Sequence, residues 1–175
     1  MNTNSRLMEM LVGYASAHQH PFNIAVHLVG IPTIMLGVSI ALSWVRADIA
    51  GVAVNLAWLL LVAMFVFYMT LDKLFAFAFL AYGIPIVWLA SVIGMQPLAT
   101  SGAVAAATFG GGYLAQFVGH AVEKSAPVIF KHPVQANLAA PFFTVVEVFK
   151  LVGLREDLFD EVQREIASRR SEQAA

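Results

Sequence analysis

The sequence predicts an all-α protein: a polytopic membrane bundle of four transmembrane helices, a re-entrant or interfacial segment and a C-terminal amphipathic helix. Three observations predict it. Of the 175 residues, 59% are hydrophobic and only 12% are charged, against roughly 25% charged in soluble domains. A domain this small keeps much of its surface exposed, so the excess apolar surface must face lipid. Four apolar runs, at 24–45, 50–70, 74–95 and 101–118, approach the ~20 residues that a helix needs to cross ~30 Å of hydrocarbon. Runs of this length favour helices over barrel strands, because lipid leaves every peptide group to be satisfied within the chain.

The breaks between the runs are short: Arg46 to Asp48, Asp72-Lys73 and Gln96-Pro97. Two are charged, and the third carries a residue that cannot continue a helix. In the fourth run Gly110, Gly111, Gly112 and later Gly119 are read as sites of close helix contact. A P-loop is excluded, because the lysine and the serine or threonine of that motif are missing. Residues 137–152 are apolar but broken by Pro141, and are read as interfacial or dipping into the membrane. From 154 to 170 the chain changes character. Leu154, Leu158, Val162 and Ile166 recur among charges, the pattern of an amphipathic surface helix. The division is therefore an integral membrane domain with the site over 1–153 and an amphipathic tail over 154–175.

With four spans, both termini and the Asp72-Lys73 loop share one side. That side receives nine of the ten lysines and arginines, and the other receives Arg46 alone. The positive-inside rule places it in the cytoplasm, and in a bacterium the membrane would be the inner one. The N-terminus is polar, carries Glu9 and does not read as a secretory signal. A net charge of -1 without an aromatic-interleaved basic patch excludes a nucleic-acid partner. With no cysteine, disulfides, thiolate zinc sites, iron–sulfur clusters and a cysteine nucleophile are excluded.

All five histidines, His18, His20, His27, His120 and His132, fall near the cytoplasmic edge on this topology. Ionisable groups at membrane depth are costly and tend to be paired or functional. Pro21 suits the first turn of a helix, so Asn23 and His27, four apart, share a face. His18 precedes the proline and is free to fold back over them. Gln116, His120 and Glu123, four and three apart, form one polar stripe on an apolar helix that Pro127 stops. Imidazole suits iron, zinc, copper and nickel, and imidazole with carboxylate suits non-haem iron. Asn23, Gln116 and Glu123 are placed to brace such ligands. His20 and His132 fit the plainer role of interfacial histidines. Tyr14, Trp44, Trp58 and Trp88 read as interfacial or packing aromatics. Lys124 and Lys131 either attract a carboxylate or simply satisfy the charge rule. On the residues alone two other readings stay open: haem held by His27 and His120, and a non-catalytic scaffold.

These residues resemble a family of small membrane proteins related to the eukaryotic endoplasmic-reticulum 2-hydroxy fatty acid dioxygenase. The first matching motif is Tyr14, His18, Pro21, Asn23 and His27, followed by Pro32. The second is Gln116, Gly119, His120 and Glu123, followed by Pro127. A third piece runs from Gln135 to Pro141, Phe142 and Phe143. The resemblance covers about 14–152, and His20 and His132 fall outside its motifs. It implies an iron(II)-dependent, non-haem dioxygenase that shortens 2-hydroxy fatty acids by one carbon. Its partners would be the 2-hydroxy acid, dioxygen and the lipid bilayer. His18, His27 and His120 then become the metal ligands. Asn23, Gln116 and Glu123 become the catalytic polar residues, as supports behind the ligands or as supplementary ligands.

Overall fold

Backbone hydrogen bonding dictates the architecture, since long apolar segments satisfy their peptide groups only as helices. The computed structural model describes residues 3–16, 18–130 and 133–174. Among them are seven α-helices: α1 (Thr3–Ser16), α2 (Pro21–Ser43), α3 (Leu56–Met69), α4 (Lys73–Ile93), α5 (Leu98–Glu123), α6 (Pro133–Leu151) and α7 (Glu156–Ala174). A short antiparallel hairpin, β1 (Arg46–Ile49) and β2 (Val52–Asn55), joins α2 to α3.

The all-α class holds, but the count of spans changes. Two helices, α2 and α4, are long and apolar enough to cross a membrane, or three if α6 and α7, bent by 113° from each other, form one broken span. The run at 50–70 fails because its first residues form the hairpin. Ala50 and Gly51 take positive φ (54° and 80°), which suits a two-residue turn, and Asp48 Oδ1 accepts the Gly51 N–H at 2.8 Å. Asn55 then caps α3 by accepting from Ala57 and Trp58 N–H, leaving 14 helical residues, about 21 Å. The run at 101–118 lies in α5, which is long enough at 26 residues. Its many Gly, Ala, Ser and Thr residues leave it short of the hydropathy of a span.

α2 lies along α5, and small residues let the backbones meet. A Cβ on Gly37 would stand 2.7 Å from Phe109 N and 2.9 Å from Ala105 O. One on Gly112 would stand 2.6 Å from Ile34 Cγ1 and 3.0 Å from Gly30 O. Gly112 and Gly119 thus make the contact expected of them, whereas Gly110 and Gly111 face open space.

The main core runs through α1, α3, α4, α6 and α7. Every residue from Pro141 to Glu147 is buried against the other helices, and the bend between α6 and α7 is that of a broken span or a re-entrant loop. Hydroxyls of Tyr68 and Tyr82 donate to the carbonyls of Leu138 (2.6 Å) and Pro141 (3.0 Å) beside the helix-interrupting proline. Val162 and Ile166 of α7 join the same cluster as Leu7 and Leu11 of α1, while Leu154 is exposed. Asp72 caps α4 through Phe75 N–H, 3.1 Å away, and is bonded by Arg155, whose guanidinium lies over the Phe75 ring at 4.8 Å. That contact ties the turn between α6 and α7 to the turn between α3 and α4.

Candidate metal centre

The start of α2 builds one wall of the site. Pro21 opens the helix, and His20 caps it, its Nδ1 accepting from Phe22 N–H at 3.2 Å. His20 is thus an exposed cap. His132 and Lys131 lie outside the described residues. His27 sits one turn after Asn23 and donates from Nδ1 to its carbonyl at 2.9 Å. His18, in the connection before α2, donates from Nδ1 to the Tyr14 carbonyl at 2.9 Å. Its ring stacks on Tyr14 with centroids 3.9 Å apart. His120 comes from the last turn of α5, its Nδ1 2.9 Å from Ser125 Oγ.

The three imidazoles converge. Their centroids are 4.4 Å (His18–His27), 4.9 Å (His18–His120) and 5.0 Å (His27–His120) apart. One nitrogen from each lies within 4.8 Å of the others, and all three residues are buried. Nε2 of His18 faces Nε2 of His27 at 3.2 Å. Because each Nδ1–H is spent on a backbone carbonyl, both facing nitrogens present lone pairs. Two lone pairs held together in a buried site call for a cation between or beside them. A proton is poorly suited, since burial and then the His27 imidazole push His18 down to about 3. The donor set fits a divalent transition metal: three imidazoles, two of them with tautomers fixed from behind by backbone carbonyls. It leaves no slot for a porphyrin disc between His27 and His120, whose rings meet edge to face.

Glu123 closes the site from outside the ligand cluster. One carboxylate oxygen accepts from Gln19 N–H (2.6 Å) and His20 N–H (3.0 Å), and the other accepts from the Asn23 amide. Burial alone would raise this carboxyl. The hydrogen bonds from Gln19, Asn23 and His20, with His18 nearby, outweigh it and hold the group below the usual carboxylate range. The carboxylate therefore pins the end of α5 to the start of α2. Gly119 makes room: the Asn23 side-chain oxygen, buried with no hydrogen-bond donor among the described residues, lies too close to the place a Cβ of residue 119 would take.

A cavity of about 240 Å³ begins at His18, His27 and His120 and runs between the helices past Ile34 and Met35 to Ser39, Ala57 and Val87. Gln116, Tyr113 and Asn137 are polar residues on its wall; no Lys or Arg lines it among the described residues. The model of the family described as 2-hydroxy-palmitic acid dioxygenase Mpo1-like matches residues 4–152. The chain belongs to the Mpo1-like family. No curated protein and no solved structure gives a significant match.

In this Mpo1-like protein the three histidines expected as ligands are brought together, and Asn23 and Glu123 meet each other rather than the imidazole nitrogens. Gln116 points to a different place, the cavity wall beside the histidines. Lys124 is the exposed, left-handed C-cap of α5 (φ 57°) and does not line the cavity. One contributor escaped the sequence reading. Ser125 steadies His120 through a turn that only the left-handed cap creates. Tyr14, expected as a packing aromatic and as the first residue of the matching motif, packs against His18 and, with centroids 3.6 Å apart, against Phe143.

Proposed function

We propose that the protein is an iron(II)-dependent membrane dioxygenase that shortens 2-hydroxy fatty acids by one carbon. The carrying observation is a trio of buried, converging imidazoles at the head of a largely apolar cavity. Family membership supports the reaction class. His18, His27 and His120 would hold the iron, and Glu123 and Asn23 would keep their two helices in register. Bound there, the metal supplies Lewis acidity and redox chemistry toward dioxygen.

The residues of the chain bind and orient. The apolar walls take the acyl tail and exclude water. Gln116, beside the histidines, offers an amide N–H to the substrate carboxylate. Among the described residues no lysine or arginine lines the cavity, so an anionic head group would meet the cation that the histidines hold. The overall change is balanced without an external reductant: the C1–C2 bond of the 2-hydroxy acid breaks, C2 becomes the new carboxyl, and C1 leaves as carbon dioxide. The substrate's four electrons reduce dioxygen, one oxygen atom appearing in water. We assign the site to the cytoplasmic side from the basic residues that flank it in sequence, Arg6, Lys124 and Lys131.

The test is metal analysis of the purified full chain, coupled to 2-hydroxypalmitate consumption under oxygen. Iron-loaded protein should yield the acid one carbon shorter. His18→Ala, His27→Ala and His120→Ala should each lose metal and turnover together. Iron-loaded, folded protein that leaves 2-hydroxypalmitate untouched refutes the proposal.

A further inference from the structure

The cavity has a floor, and its depth can be read from α2. His27, Ile31, Ile34, Val38 and Ser39 all line it, following one helix face. Twelve residues separate His27 from Ser39, about 18 Å at 1.5 Å per residue. One turn further on the space closes. Ser43 is fully buried, its hydroxyl donating to Ile40 O at 2.7 Å and lying 3.4 Å from Ala90 O. Ile40 and Ala90 are themselves fully buried, and Gly94 lies so close to Ser43 that no Cβ fits. α2 and α4 are therefore in contact just past Ser39 and Val87, and a tail lying in the cavity can go no deeper.

We propose that Ser39 and Val87 form a chain-length stop. An extended saturated chain advances about 1.25 Å per carbon, from a C–C bond of about 1.5 Å. About 18 Å thus holds about 14 carbons. With C1 and C2 at the histidines, the longest acid accommodated straight has about 16 carbons. Each methylene up to that length enters apolar surroundings and raises affinity from water about fourfold. Further methylenes find no space and add nothing. The inference rests on the acyl-binding reading of the site, but not on turnover.

The experiment measures dissociation constants of the full chain in nanodiscs for straight-chain 2-hydroxy acids of ten to twenty carbons, under argon. Unsubstituted acids run alongside, and uptake by empty nanodiscs is subtracted. Affinity should climb about fourfold per carbon and level off near sixteen. Ser39→Leu should move the break shorter by about two carbons, because its side chain reaches about two bonds further. Val87→Ala should move it longer by about one carbon. A series without a break, or a break that stays in place in whichever of the two variants fold, overturns the stop. Loss of turnover with the break intact would instead refute the oxygenase reading and leave the stop standing.

Discussion

Gly119→Ala perturbs the site without touching an imidazole. The added Cβ would meet Asn23 Cγ at 3.3 Å, its Cα at 3.4 Å and its Oδ1 closer still. Asn23 is fully buried and cannot swing into solvent. Its amide plane must turn, which breaks the bond from its nitrogen to Glu123. Overpacking of this kind costs about 1–3 kcal/mol, and a hydrogen bond to a charged partner is worth about 1.5–3 kcal/mol. The gain in helix propensity from glycine to alanine returns at most about 1 kcal/mol. The net is about 3 kcal/mol of destabilisation, or about 6–12 °C in melting temperature for a chain of this size. Gly111→Ala, eight residues away on the same helix, is the control. Nothing stands within 4 Å of its Cβ, so it should raise stability slightly. The assay is thermal unfolding of both variants in one detergent, with metal content measured in parallel. If the two substitutions shift the melting temperature equally, Gly119 is not the spacer that seats Asn23 against Glu123.

Other perturbations probe the same reasoning. Ser125→Ala removes the partner 2.9 Å behind His120 Nδ1 and should weaken metal binding about tenfold, read by metal titration with the fold checked by circular dichroism. The pH dependence follows from His18. Its folded pKa of about 3 lies below the unfolded value near 6.5, so between these values the unfolded chain binds a proton that the folded chain refuses. Stability of chelator-stripped protein is therefore full above pH 6.5. It declines toward pH 3 by about 1.4 kcal/mol per unit within that window. His18→Gln should flatten the decline in a melting series from pH 7.5 to 4.5. Asp72→Ala removes the cap of α4 and the partner of Arg155, for a loss of about 1–2 kcal/mol, measurable by chemical unfolding.

Much of the site was legible because its signals are local. Pro21 fixes where α2 begins, and the four-residue spacing of Asn23 and His27 follows from the helix period. The same period puts Gln116, His120 and Glu123 on one face, with Pro127 beyond the end. What spacing could not say is how that stripe divides its labour. Glu123 meets Asn23 and two backbone N–H groups, Gln116 meets the cavity, and His120 meets the other imidazoles. Those assignments depend on the depth at which α5 passes α2, which Gly30, Gly112 and Gly119 set through backbone approach.

The sequence by itself determined the lipid-facing helical class, since apolar composition and run length are sums over residues and need no partner. It also determined which histidines could share a face. Tertiary structure decided the rest. Hydropathy does not register that Ala50-Gly51 turns the chain into a hairpin, which shortens α3. Nor does it register that α7 buries Val162 and Ile166 against α1. The cavity and its floor belong to no segment: they are the space left among the packed helices between the histidines and the contact of α2 with α4 at Ser43. Empty volume and converging lone pairs are properties of packed surfaces, and only the folded chain defines them.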